Sequence, residues 1–382
     1  MQFKDIVGQD AVKQRLLDTV KHNRVSHAQL FLGPEGSGSL ALAVAYAQYL
    51  SCLDKSDYDS CGVCSSCRKY QKLIHPDLHF SYPFFAKSSS DTALSFIEEW
   101  REAFLANPYL SLDIWRGYLE AENKQANINI AECHQIIKKL SLKPFESEYK
   151  ILILWLPEYL DKEGNALLKI IEEPQPNTLF LLVAQNQDQI LNTILSRTQL
   201  VKIPGLEYEE IKQYLMDARQ QTDLAAAEIA YLSNGNLTEA LQMLGQDSNS
   251  YHSLFVQWLR LSFGNKGSEV MALSDQLSKL GRENQKNFLR YGISYMRECS
   301  LLLAGAAELV HLPSAERETA QKLINVMNLD MAQAISEELE TAHFHVERNA
   351  NPKILFLDVS LQIIKILFYK TIRPRRTPYM PN

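Results

Sequence analysis

Positive charge is not in excess in this chain: 39 Lys and Arg stand against 45 Asp and Glu, a formal net charge of -6. Phosphate contacts need clustered cations, so the balance argues against a free-standing nucleic-acid binder, and any DNA contact is expected to be local or shared with partners. Long apolar runs are also missing. The run Ile151 to Leu156 stops at Pro157, and the last apolar stretch is broken by Asp358 and Lys365, so no membrane span is expected. Met1-Gln2-Phe3-Lys4-Asp5 does not lead from a basic segment into an apolar core, so a signal peptide is not expected and a cytoplasmic address follows. Cysteine is scarce outside one stretch: of six, four lie between Cys52 and Cys67. In a reducing compartment such a group points to metal rather than to disulfides, and Cys133 and Cys299 read as small core residues.

What is present begins with an α/β pattern. At 382 residues the chain is too long for one core, and two or three domains are expected. Buried strands are predicted at Ala28 to Leu32, Lys150 to Leu156 and Thr178 to Ala184, and helical spacing at Leu40 to Leu50. Asp161 to Glu173 carries Ala166, Leu167, Ile170 and Ile171 on one helical face and ends at Pro174, which makes a strand, crossover helix, strand unit with a parallel sheet. The aromatic-rich stretch of about 80–127 interrupts this pattern and reads as an insertion with one helix around Leu94 to Leu105. After Pro204-Gly205 only helices are predicted: a small helical domain over 206–247, then longer helices over 248–382. The last helix is capped by Asn351-Pro352 and runs to about Lys370, with Asp358, Gln362 and Lys365 in one narrow polar stripe. Such a helix wants burial on most sides, in a domain core or against other subunits.

Gly33-Pro34-Glu35-Gly36-Ser37-Gly38 lies between a strand and a helix, the context of a phosphate loop, where backbone N–H groups at a helix start can cradle an anion. A working loop continues with Lys and then Ser or Thr. Here those places hold Ser39 and Leu40, which can neither neutralise the β and γ phosphates nor ligate magnesium. After the strand Ile151 to Leu154, where a hydrolysing enzyme presents a magnesium-binding Asp and a water-activating Glu, the chain has Trp155 and Leu156. With two parts of one mechanism gone, no intrinsic ATPase activity is expected. The glycine-rich turn then either keeps residual phosphate binding or merely joins strand to helix.

Cys52, Cys61, Cys64 and Cys67 follow the spacing C-x8-C-x2-C-x2-C, enough for a closed tetrahedral Zn2+ site that leaves no position for water and is therefore structural. The rival arrangement has His75 or His79 taking one place. Arg68, Lys69 and Lys72 nearby read as a solvated helical face. Arg197, in Asn192-Thr193-Ile194-Leu195-Ser196-Arg197-Thr198, allows two readings: an internal salt bridge, or a planar, permanently charged fork offered to the γ-phosphate of ATP on a neighbouring subunit.

Phe3-Lys4-Asp5-Ile6-Val7-Gly8-Gln9, Ser26-His27-Ala28, the loop at Gly33, the four cysteines, His75-Pro76-Asp77, Asn165-Ala166-Leu167-Leu168-Lys169, Glu172-Glu173-Pro174 and Ser196-Arg197-Thr198 occur in one order along the chain. Together they resemble the clamp-loader branch of the AAA+ proteins, over about 1–245. The resemblance implies an AAA+ domain over 1–205, carrying the zinc module (about 50–75) and the insertion, a lid at 206–247 and a helical collar at 248–382. It implies that Arg197 acts in trans as an arginine finger, with Thr198 in place of the usual Cys, and that Thr238 replaces a nucleotide-sensing Arg. The implied role is that of a non-catalytic subunit of the bacterial DNA polymerase III holoenzyme. Its partners would be the gamma/tau and delta subunits and, through the complex, the sliding clamp and primed DNA. The alternative is an active ATPase of gamma/tau type. Arg373, Arg375 and Arg376 read as a solvated tail or as a contact to DNA or a partner.

Overall fold

A computed structural model describes residues 1–371 except 87, 89, 122–123, 245–247, 311, 313 and 349; the basic tail and Asn349 of the approach to the last helix lie outside the described residues. The chain divides into two compact units after Gln242.

Strands β1 (Ala28–Leu32), β2 (Leu78–Ser81), β3 (Lys150–Trp155), β4 (Thr178–Ala184) and β5 (Gln199–Lys202) form one sheet in the first unit. Their order is β2-β3-β4-β1-β5 and every pairing is parallel. Every residue of β3 and β4 is buried, as a parallel sheet covered on both faces requires, and these apolar runs are what made the central strands legible. The two edge strands, LHFS and QLVK, have only four residues each, and three of the four in β5 are exposed, too short and too polar to announce themselves.

One face of the sheet packs against the helix Ser39–Ser51, buried at all 13 positions because the N-terminal segment and the cysteine-bearing stretch cover its outer side through Phe3 on Tyr49, Gln48 on Ser60 and Ser51 on Tyr70. The other face packs against Ile130–Leu140 through Cys133, Ile136 and Leu140. The insertion folds around Tyr82, Trp100 and Trp115: Tyr82 and Trp100 stack with centroids 3.9 Å apart, and Trp115 meets both edge-on at 5.4 Å. Its expected helix is present as Ala93–Phe96 continuing into Ile97–Ala106, and a second follows at Leu112–Tyr118, where Ser111 Oγ accepts from the Ile114 N–H.

The crossover between β3 and β4 differs from the expected continuous helix. It opens as 3-10 helix over Pro157–Leu167, is broken at Asp161 (φ 46°, ψ -142°), and becomes α-helical only over Leu168–Glu172. Leu156, with φ 53°, and Pro157 turn the chain out of β3, and the non-helical Asp161 falls where the continuous helix was expected to start. Three helices, Tyr208–Arg219, Asp223–Leu232 and Leu237–Met243, follow the sheet, and the chain up to Gln242 belongs to the first unit.

The second unit is helical throughout its described residues, with Ser248–Phe263, Gly267–Ser278, Arg282–Leu303, Ser314–Ile324, Leu329–Glu347 and Pro352–Leu367 as its main elements. Phe255, Trp258 and Phe288 form its aromatic centre, and Trp258 Nε1 donates to Ser360 Oγ at 2.8 Å. The last helix starts as expected, with Asn351 Oδ1 accepting from the N–H groups of Lys353 and Ile354. Its outer stripe is mixed rather than polar: Asp358 and Lys365 are exposed with Ile354 and Leu361, while Gln362 is buried and donates to Asp358 Oδ1 at 3.2 Å. No helix among the described residues is long and apolar enough to cross a membrane.

Candidate functional site

The sheet reverses its strand order beside β1, which lies between β4 and β5. Ligands of open α/β sheets sit at such a point, beyond the carboxyl ends of the strands. The loop Gly33–Gly38 leaves β1 at that point. Gly36 (φ 73°) and Gly38 (φ 85°) hold the left-handed conformation that the turn demands, and a Cβ on Gly36 would lie 1.8 Å from Asn236 Oδ1. The third post-sheet helix is tied to the loop, since the Leu237 N–H donates to Gly36 O at 3.2 Å.

Ser39 and Leu40, expected to stand in place of a Lys and a Ser or Thr, are both buried at the start of the helix. Ser39 Oγ lies 2.8 Å from Ser37 Oγ, and Leu40 belongs to the core beneath the sheet. Trp155 and Leu156 are each 2% exposed. The first carboxylate after β3 is Glu158, whose Oε1 accepts from the N–H groups of Gln185 (2.6 Å) and Asn186 (2.8 Å). Burial raises its pKa against those donors. Around the loop remains a cleft of about 20 Å³, room for about one water. Its lining includes Pro108, Tyr109 and Leu110 from the insertion, to which the sequence reading gave no role.

Arg197 follows the short helix Asn192–Leu195, half-buried at the head of β5. Its Nε and Nη2 both lie 2.9 Å from Glu172 Oε2, and Nη1 donates to Thr193 O at 3.0 Å. The internal salt bridge therefore exists. The two side chains remain 32% and 56% exposed, and an exposed pair of this kind is worth only about 0–1 kcal/mol, so it adds little to the stability of the fold.

The four cysteines come together as the spacing required. Their sulfurs all lie within 4.8 Å of one another, with Cys61 Sγ 3.9 Å from Cys67 Sγ. Four sulfurs at about 2.3 Å from a tetrahedral metal are about 3.8 Å apart, so this set can hold one ion. Backbone N–H groups of Cys61, Cys64 and Cys67 point at the Cys52, Cys61 and Cys64 sulfurs at 3.2–3.4 Å, so the loop's own backbone holds three of the four sulfurs in place. Neither His75 nor His79 joins the cluster. Asp59 anchors the module by accepting from the N–H groups of Phe3 and Lys4, each at 3.1 Å. Lys69 pairs with Glu146.

Asp77, of His75-Pro76-Asp77, is 1% exposed and accepts from the N–H groups of Phe145 (2.5 Å), Glu146 (2.8 Å) and Ser147 (2.9 Å), fixing the turn that feeds β3. Burial alone would raise its pKa; the three donors outweigh burial and lower it. Cys133 and Cys299 are buried, and burial pushes both thiols up to about 12, which leaves them inert core residues.

An all-parallel sheet with a phosphate-loop turn at its reversal point, followed by helices that close on that turn, defines an AAA+ frame of the clamp-loader kind. The family profile described as DNA polymerase III, delta subunit, matches residues 8–207, more than half of the chain, and the chain belongs to that family. Among curated relatives, DNA polymerase III subunit delta' of Bacillus subtilis is 25% identical over 239 residues, covering 63% of this chain and 60% of that protein. The tau/gamma subunit of Haemophilus influenzae is 23% identical over 250 residues, covering 64% of this chain and 30% of that protein. Subunit tau of B. subtilis is 23% identical over 396 residues, covering 96% of this chain and 61% of that protein. The chain thus spans less than two thirds of the length of each of these relatives. A solved B. subtilis DNA clamp loader delta protein superposes loosely, with a TM-score of 0.33 and 15% identity over 92% of this chain and 99% of that one.

Proposed function

We propose that this chain is a non-catalytic, delta-prime-type subunit of a bacterial DNA polymerase III clamp loader, which does not hydrolyse ATP itself and offers Arg197 to ATP held by a neighbouring gamma/tau subunit. The observation that carries the reading is the burial of Ser39, Leu40, Trp155 and Leu156 at the carboxyl edge of the sheet together with a half-exposed Arg197 at its amino edge. Hydrolysis of ATP needs a cation on the β and γ phosphates, a magnesium ligand and an oriented water, and those four positions supply none of them. A guanidinium held by a weak surface pair can still turn to a γ-phosphate brought to it.

The reading places the protein in the cytoplasm with the delta and gamma/tau subunits as partners and the sliding clamp and primed DNA as the substrates of the whole complex. The four cysteines would hold Zn2+: a closed thiolate set suits a structural ion and keeps no open position for chemistry. In this reading residues 206–247 act as the lid and 248–382 as the collar. The gamma/tau names among the relatives favour a second reading, an active ATPase. One measurement separates the two. ATP turnover is expected to be absent for the isolated chain and to fall in the reconstituted complex when Arg197 is replaced by Ala. Steady turnover by the isolated chain would select the ATPase reading.

A further inference from the structure

The cleft at the phosphate loop is filled by the chain itself. We infer that residues 107–110 of the insertion act as a built-in occupant of the nucleotide cleft, shutting nucleotide out and tying the post-sheet helices to the sheet where a bound nucleotide would otherwise bridge them.

Tyr109 is bound from three sides. The Val7 N–H, from the segment before the sheet, donates to Tyr109 Oη at 2.8 Å. Thr238 Oγ1, from the helix that closes on the loop, donates to Tyr109 O at 2.6 Å, and Thr238 is 1% exposed. The ring lies against the phosphate loop so closely that a Cβ on Gly38 would be 2.9 Å from Tyr109 Cε1. Tyr109 is 7% and Leu110 5% exposed. The segment is also shaped in advance: Asn107 Oδ1 accepts from the Tyr109 N–H at 3.0 Å, an Asx turn around Pro108 that leaves little conformational freedom to lose on docking. With these residues in place about 20 Å³ is left, enough for about one water.

The same geometry gives Trp155 a purpose. At the end of β3, where a magnesium-binding acid would stand, its ring packs 5.2 Å from Trp100, the centre of the aromatic cluster around which the insertion folds. The side chain that removes the acid is therefore the one that seats the insertion. Thr238 likewise bonds the occupant instead of a phosphate. The missing catalytic groups and the extra segment are two halves of one substitution, and the inference stands independently of whether Arg197 acts in trans.

The test repairs the loop with and without its occupant, in the full chain. Variants Ser39→Lys/Leu40→Thr, Tyr109→Gly/Leu110→Gly, and the four combined are titrated with a fluorescent ATP analogue and Mg2+, and amide hydrogen exchange is followed with and without 1 mM Mg·ATP, an amount on the order of ordinary substrate levels. The wild type and the loop-repaired variant are expected not to bind, and the combined variant to bind. Binding by the loop-repaired variant alone, or protection of residues 36–40 in the wild type on adding Mg·ATP, overturns the inference. Because a variant can fail to fold, Tyr109→Phe supplies a second readout. It removes only the acceptor of the Val7 N–H, and exchange at Val7 should quicken about threefold to tenfold, the equivalent of one hydrogen bond, with the aromatic core intact. Unchanged exchange at Val7 would also overturn it.

Discussion

Replacing Arg197 with Ala removes the two contacts to Glu172 Oε2 at 2.9 Å and the donation to Thr193 O at 3.0 Å. Both partners of the ion pair face solvent, so the folded chain should lose no more than about 1 kcal/mol. In a domain of this size that lowers the melting temperature by only about 2–4 °C. The effect on ATP use should be far larger. A guanidinium delivered to a transferring phosphoryl group is worth about 10³–10⁵ in kcat, and loss of even one well-placed donor costs about 10²–10³. The measurement is steady-state ATP turnover of the reconstituted complex, with assembly followed separately by size-exclusion chromatography. Turnover is expected to drop at least about a hundredfold while the complex elutes unchanged. Arg197→Lys should not restore it, since an ammonium lacks the planar fork. Glu172→Gln keeps the arginine and removes only its weak anchor, so turnover should stay within about fivefold, the equivalent of about 1 kcal/mol. Full turnover by assembled Arg197→Ala would refute the trans role. Failure of that variant to assemble would reassign the residue to holding the subunit together.

Three further outcomes follow from other parts of the first unit. Elemental analysis of the purified chain should find one zinc per molecule; Cys64→Ser should release it, making residues 50–75 sensitive to protease, and a full metal content in that variant would exclude the four-thiolate site. Trp100→Ala should cost about 3–5 kcal/mol in denaturant unfolding, because it empties the centre of the aromatic cluster; a loss below about 1 kcal/mol would mean that the insertion is not seated on this ring. Asp77→Asn should cost about 1–3 kcal/mol at pH 7. The folded-state pKa of Asp77 is lowered, so its contribution is fully present above the ordinary carboxylate range near pH 4 and is lost as pH falls through the folded value. The gap between wild type and variant should therefore close on acidification, and a gap independent of pH would show that the three N–H bonds do not need the charge.

Much of the molecule was legible one segment at a time. Cys52, Cys61, Cys64 and Cys67 are close in sequence, so their spacing alone implied one shared ion, and the sulfurs do converge. The central strands β1, β3 and β4 were readable because a strand covered on both faces must be apolar almost throughout. Asn351-Pro352 is a local cap, and the helix begins there. The proposed loss of ATP hydrolysis likewise rests on residue identity at Ser39, Leu40, Trp155 and Leu156, which any reader of the sequence can see.

What sequence alone left undecided depends on residues far apart in the chain. Tyr109 reads as one more aromatic of an irregular insertion; its position in the cleft is set by Val7, 102 residues before it, and Thr238, 129 residues after it. Asp77 reads as part of a short motif, yet its partners lie 68–70 residues on. The two possibilities for Arg197 could be weighed only once Glu172 was seen beside it and both were seen to face solvent. Local composition determines which chemistry a segment is able to perform, because propensity, spacing and side-chain type are properties of neighbours in sequence. Which segment fills a cleft, and which carboxylate meets which N–H, is decided by packing in three dimensions, as it is where residues 108–110 line the cleft at the Gly33–Gly38 loop.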